Sequence, residues 1–170
     1  MKRRFRQLVK MHQDRLYSTA VQLLGHSGEA EEVVQDVFVK LWDHLEELEE
    51  ARVLPWLIRV TRNACLDLLR RRQVHLAFAV SGGVDERHVD NSTPAEELGR
   101  VRLRDELRAA IDGLDEPFRS LVVLREIEGF SYDDIGTALK LNESQVKVYL
   151  HRARRKLRER LQEFKVSDDG

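Results

Sequence analysis

The chain has one cysteine, Cys65, so an internal disulfide framework and a paired-cysteine zinc site are both excluded. Cys65 sits among Val60, Ala64 and Leu68 at helical spacing, which predicts a buried, inert thiol. Only 3 prolines interrupt 170 residues, and β-branched residues do not alternate over any long stretch. That pattern argues against strands and for an all-α chain. No apolar run approaches the roughly 20 residues needed to cross a bilayer. The basic start, Met1-Lys2-Arg3-Arg4-Phe5-Arg6, is not followed by the apolar stretch of a signal peptide, so a cytoplasmic location is expected. His12, His26, His44, His75, His88 and His151 fall at no ligand spacing, so neither a metal nor another cofactor is expected. No phosphate-binding glycine loop, nucleophile elbow or dedicated carboxylate pair is present, so the chain is not expected to be an enzyme.

What the sequence has in quantity is charge, and it is partitioned. Charged residues make up 35% of the chain, yet the net charge is only -1. From Glu29 to Glu50 there are nine acidic residues and one basic, Lys40. From Arg59 to Arg72 there are five arginines and one acid, Asp67, and from Glu143 to Arg160 seven basic residues and two acidic. One acidic and two basic segments imply more than one kind of partner. The acidic segment cannot face phosphates. It is either a solvated surface or a docking surface for a basic protein.

Apolar periodicity divides the chain into helices. Phe5, Leu8, Val9, Leu16, Ala20, Leu23 and Leu24 predict a long first helix ending at Gly25. Ser27 is the expected N-cap of a second, with Glu29, Glu31 and Glu32 in its first turns and Val34, Val37, Phe38, Leu41 and Leu45 on one face. After an acidic break, Glu46 to Arg52, Pro55 is expected to open a third helix that buries Leu57, Val60, Ala64 and Leu68. Arg59, Asn63, Asp67 and Arg70 form a polar stripe on its other side, read equally well as solvated or as a binding face. The pattern stops after Arg72. Ser81-Gly82-Gly83 and Asn91-Ser92-Thr93-Pro94 mark a flexible linker with a weak apolar patch at Leu76 to Val80.

The fold class expected is therefore all-α, with two small helical domains over 1–73 and 101–163, a linker at 74–100 and a tail at 164–170. In the second domain Leu103, Leu107, Ala110, Ile111 and Leu114 give one helix. Asp115-Glu116-Pro117 starts the next, with Phe118, Leu121, Val122, Leu124 and Ile127 on its face. Ser131-Tyr132-Asp133-Asp134 resembles a capping box, and Leu141-Asn142 makes a turn. In the last helix Val146, Leu150, Ala153 and Leu157 define a buried seam. A short helix, a turn and a basic helix in that order suggest a helix-turn-helix that enters DNA. Ser144, Gln145, Lys147 and Val148 suit base edges, while Arg152, Arg154 and Arg155 suit phosphates. Trp42 and Trp56 fit core positions better than stacking platforms.

Three strings, in this order, resemble bacterial RNA polymerase sigma factors of the extracytoplasmic-function (ECF) type in the sigma-70 family. They are Ala30-Glu31-Glu32-Val33-Val34-Gln35-Asp36-Val37-Phe38-Val39-Lys40-Leu41-Trp42, then Pro55-Trp56-Leu57-Ile58-Arg59-Val60-Thr61-Arg62-Asn63-Ala64, then Tyr132-Asp133-Asp134-Ile135 with Val146-Lys147 and His151-Arg152-Ala153-Arg154. The resemblance implies that Glu32, Gln35 and Asp36 grip the beta-prime clamp helices of core RNA polymerase. It implies that Trp56, Arg59, Arg62, Asn63 and Arg70 recognise and help melt the minus-10 promoter element, with Asn63 near a flipped-out base. It assigns minus-35 DNA to Ser144, Gln145, Lys147, Val148, Tyr149, His151, Arg152 and Arg155, and contact with the beta flap to the same domain. It also implies an anti-sigma factor as a partner. Relatives usually carry Gly-Thr where this chain has Ser144-Gln145, and often Ser-Arg where it has Val148-Tyr149. Other readings of the same residues are a stand-alone helix-turn-helix regulator acting as a dimer, and a module that binds polymerase without supporting transcription.

Overall fold

The structure, a computed structural model, describes residues 1–25, 27–78 and 95–168. Among the described residues every regular element is a helix. Helix α1 spans Lys2–Leu24, α2 Gly28–His44 and α3 Glu50–Phe78. After the undescribed stretch come α4, Ala95–Asp112, and the single turn α5, Phe118–Leu121, which continues into a π-helical turn, Val122–Ile127. Helices α6, Tyr132–Leu139, and α7, Glu143–Asp168, complete the chain. The expected glycine- and proline-marked segments at 81–83 and 91–94 lie outside the described residues, as do His26 and His88.

Helix α1 stops where expected. Gly25 takes a left-handed φ of 83°, which a residue without Cβ adopts freely, and its N–H bonds the Val21 carbonyl at 2.8 Å. The three remaining carbonyls of the last turn would be orphans. Each finds a guanidinium: Gln22 O accepts from Arg108, Leu23 O from Arg119, and Leu24 O from Arg72 at 3.2 Å. Arg72 is on α3, but Arg108 and Arg119 come from the C-terminal half. Ser27 stands at the N-cap of α2 as expected, although its side chain makes no capping bond. Glu29 instead pairs with Arg72.

Two expectations need correction. Pro55 does not open α3; the helix begins at Glu50, and Pro55 lies buried inside it. Val53, 2% exposed, draws this stretch onto the core, and Arg52 N–H already bonds Glu49 O at 2.9 Å. Arg4 fixes the acidic break by donating to the Leu45 and Leu48 carbonyls at 2.9 and 2.8 Å and pairing with Glu50 at 3.2 Å. Helix α3 runs on through Phe78 and α4 starts at Ala95, both inside the stretch expected as linker, and α7 reaches Asp168. Ile127, expected to be buried, is 41% exposed, while Val122, Val123 and Leu124 are all buried in succession. The π-helical turn explains this. Glu128 N–H reaches back five residues to Val123 O at 3.0 Å, so the side-chain phase slips relative to an α-helix.

The two halves share their cores. Leu16, Leu23, Val37, Leu41 and Leu57 of α1–α3 pack in one cluster with Ile111, Leu114, Val122, Val123 and Ala153. The second cluster joins Leu124, Phe130, Ile135, Val146 and Leu150 to Ile58 of α3, which is fully buried there. Cys65 is buried as expected, and its burial pushes the thiol pKa up to about 12. The helix-turn-helix forms as the sequence suggests. Ser131 Oγ accepts from Asp134 N–H at 3.0 Å, and Val146, Leu150 and Ala153 are buried. Gly136 allows the turn to close, because a Cβ there would lie 2.7 Å from the Leu141 carbonyl oxygen. Gly136→Ala is therefore expected to cost about 1–3 kcal/mol through overpacking. Urea unfolding of the full chain checks this, and an unchanged midpoint would contradict the close approach.

Candidate nucleic-acid interface

Helix α2 turns Val33, Val37 and Leu41 inward, which leaves Glu32, Gln35 and Asp36 exposed together on the outer face. Gln35 Nε2 lies 3.5 Å from Glu31 Oε1. Beside this anionic ridge, α1 and α2 enclose an apolar groove of about 850 Å³ floored by Phe5, Val34, Phe38 and Trp42. The Phe5 and Trp42 rings meet edge to face at 5.1 Å. Trp42 is thus half-buried packing, as its sequence context suggested. An anionic ridge next to an apolar trough suits a helix that carries basic and apolar side chains.

Helix α3 presents the second set. Trp56 is half-buried, its ring tilted 39° against His44 at 5.7 Å. Arg59 is half-buried, and Asn63 and Arg70 are exposed, the latter 3.2 Å from Asp67 one turn away. Arg62 is placed differently from its neighbours. Its Nε donates to Ser120 Oγ at 2.7 Å, and its Nη2 lies 3.1 Å from Glu116 Oε2. Among the described residues, four of the five expected minus-10 residues thus line α3 without a hydrogen bond to the C-terminal half, while Arg62 is held by it.

Helix α7 supplies the third set. Ser144, Gln145, Lys147, Val148, His151, Arg152 and Arg155 are all exposed. Tyr149 is not; it is half-buried edge-on against Phe118 at 6.1 Å, so it supports the helix more than it faces outward. Lys147 Nζ lies 2.7 Å from Glu143 Oε1. The hydrogen bond and charge of that pair hold the Glu143 carboxyl below its usual range and raise Lys147. Arg154, read with the phosphate-binding arginines, is engaged by Glu126 at 2.6 Å.

Sequence reasoning missed the true start signal of α7. Asn142 N–H donates to Gln145 Oε1 at 2.9 Å, and Gln145 N–H donates to Asn142 Oδ1 at 2.8 Å. This is a reciprocal capping box, and Asn-x-x-Gln before an apolar residue was available to find it. It fixes the Gln145 side chain and leaves its amide NH₂ without a role in the cap. The arginines that close α1, Arg108 and Arg119, were also missed, because no local pattern marks a contact so distant in sequence. Among the described residues no cluster of histidine, cysteine or carboxylate side chains could hold a metal ion.

Comparison with known proteins assigns these surfaces a family. Residues 8–74 match the family model of Sigma-70 region 2, and residues 104–157 match Sigma-70, region 4. The ECF RNA polymerase sigma factor SigL of Mycobacterium tuberculosis is 32% identical over 167 residues, which cover 95% of this chain and 91% of SigL. The chain belongs to the ECF sigma factors of the sigma-70 family. The ECF sigma factor SigE of Mycolicibacterium smegmatis is 34% identical over 155 residues, 91% of this chain, and the match spans 60% of the length of SigE. Among solved structures, CnrH in complex with the cytosolic domain of CnrY is similar at 27% identity and a TM-score of 0.69, covering 95% of this chain and 90% of CnrH. The family match spans both helical halves, so the fold class read from the sequence stands.

The capping box at the start of the sigma factor's α7 carries a stability consequence. Asn142→Ala is expected to cost about 1 kcal/mol by removing the side-chain acceptor of the first turn. Chemical denaturation followed by circular dichroism measures it, and wild-type stability in the variant would argue against the box.

Proposed function

We propose that this sigma factor divides promoter-specific initiation among three faces. Residues 1–73 act as the region 2 domain and residues 101–163 as the region 4 domain. Glu32, Gln35 and Asp36 dock on basic side chains of the core polymerase clamp helices, with the adjoining apolar groove available to the same partner. Trp56, Arg59, Arg62, Asn63 and Arg70 read and open the minus-10 element. Ser144, Gln145, Lys147, Val148, His151, Arg152 and Arg155 meet minus-35 duplex, with Tyr149 bracing the helix. The observation that supports this division best is α7: a buried apolar seam on one side and an open cationic face on the other. Family membership favours the initiation factor over a stand-alone dimeric regulator.

Sigma factors are transcription initiation factors, and we assign the chain no catalysis of its own and no cofactor. Work alongside RNA polymerase places it in the cytoplasm, and no described helix is long and apolar enough to cross a membrane. CnrH was solved with the cytosolic domain of CnrY bound, which supports a protein partner, an anti-sigma factor, for this chain as well.

Run-off transcription with core polymerase and a promoter library tests the whole reading, and failure to start RNA at any promoter would refute it. Two variants test its parts. Replacing Glu32, Gln35 and Asp36 together by Lys is expected to abolish capture of core polymerase while the helical circular dichroism stays unchanged; retained capture would remove the assignment. Replacing Lys147, Arg152 and Arg155 by Ala is expected to flatten the dependence of log affinity on log salt for duplex DNA. Each lost phosphate contact lowers the slope by about one. An unaltered slope would take phosphate binding away from these residues.

A further inference from the structure

The open face of α7 is polar at its edges and apolar on its midline. Val146, Leu150 and Ala153 are buried, and they fix which side of the helix is anchored. At about 3.6 residues per turn, Val148 lies opposite the middle of that seam. It is 46% exposed, although a β-branched side chain is a poor helix former. Among the described residues of α7, the other exposed large apolar side chain is Val166, near the far end. The polar side chains around Val148 are drawn away from it. Lys147 Nζ pairs with Glu143 at 2.7 Å and sits 5.8 Å from the centre of the Tyr132 ring. Gln145 is bound into the cap by Asn142. The Arg152 guanidinium lies 5.9 Å from the centre of the Tyr149 ring, and Arg155 lies 3.7 Å from Glu159, one turn on. The isopropyl group of Val148 therefore forms the outward crest of the early part of the helix.

We propose that Val148 makes α7 specific for a pyrimidine that carries a methyl group at C5, which in ordinary DNA is thymine. This deepens the assignment of α7 to minus-35 duplex and rests on it. A recognition helix enters the major groove with its early residues on base edges. The side chain opposite the anchored seam then reaches deepest into the groove. Valine has no donor and no acceptor there, so it cannot read the hydrogen-bonding pattern of a base pair. The thymine methyl is the one methyl group that the four bases present in the major groove. Contact between it and the two methyl groups of Val148 removes apolar surface from water on both sides. An amino group of adenine or cytosine, or a guanine carbonyl, would lose water at the same place and gain no partner. Arg152 and Arg155, on phosphates, would hold the helix at the depth this contact needs. 5-Methylcytosine carries its methyl at the same position and is the second base that fits.

The experiment uses holoenzyme assembled from the full chain and core RNA polymerase. It selects from duplexes of randomised sequence, prepared once with thymine and once with uracil, which pairs alike but lacks the methyl. The expected result is a thymine preference at one position of the selected minus-35 motif, lost at that position with uracil and kept elsewhere. In Val148→Ser the preference at that position is expected to disappear from the thymine library as well. On a duplex of the selected motif, uracil in place of that thymine is expected to weaken wild-type binding about fourfold, the worth of one buried methyl, and to leave the variant's binding unchanged. A third library, with uracil and 5-methylcytosine, separates the two sources of the group. Enrichment of 5-methylcytosine at that position supports recognition of the methyl on either base, and its absence supports thymine alone. A wild-type motif that is the same with thymine and uracil overturns the proposal. A thymine preference that survives Val148→Ser gives the methyl to another residue and overturns it too. The triple variant Lys147→Ala, Arg152→Ala and Arg155→Ala tests the reading beneath. If it loses the minus-35 motif while the wild type ignores the methyl, the assignment of α7 stands and only the proposal fails. If it keeps the motif, the assignment fails and the proposal falls with it.

Discussion

The end of α1 is the point on which the arrangement of the two halves depends. A helix finishes with carbonyls that have no internal donor and with a partial negative charge. Here the donors are guanidinium groups from three other helices, Arg72, Arg108 and Arg119. Two of the three belong to the C-terminal half, so satisfaction of one helix terminus and docking of the halves are the same event. Charged donors at a helix C-terminus are favourable in themselves, and their burial here makes the geometry specific. The apolar counterpart is Ile58, an α3 side chain that completes a core otherwise built from α5, α6, α7 and the intervening turns.

Much of this was legible in the sequence where periodicity and local chemistry coincide. The α1 stop at Gly25, the Ser131 cap and the seam of Val146, Leu150 and Ala153 follow from spacing and side-chain type alone. The misses have physical causes. Pro55 is a strong start signal locally, but burial of Val53 extends the helix ahead of it. The ends of α3 and α4 were lost because their outer turns carry exposed apolar side chains, Val74, Leu76, Phe78 and Leu98, with no inward face to set a period. Charge blocks separate an anionic α2 from cationic faces on α3 and α7. They did not reveal that Arg62 meets Glu116, because the two are far apart in sequence and each lies in an unremarkable local context.

Partitioned charge does two jobs at once in this sigma factor. Between proteins, an anionic ridge on α2 and a cationic face on α7 suit ligands of opposite charge. Within the protein, the same opposition lets acidic residues of one half answer arginines of the other. Arg62 with Glu116, at 3.1 Å, is a pair of this second kind. A chain with nearly balanced charge can therefore carry strongly polar faces without repelling itself apart.

The wide π-helical turn over Val122–Ile127 sets the angular phase of everything downstream. An ordinary helix advances about 100° per residue, and the looser turn absorbs one residue of that rotation before Phe130 enters the core. It works as a spacer in angle where a linker would be a spacer in length. The azimuth of α7 relative to α1–α3 is thereby written into the six residues of that turn.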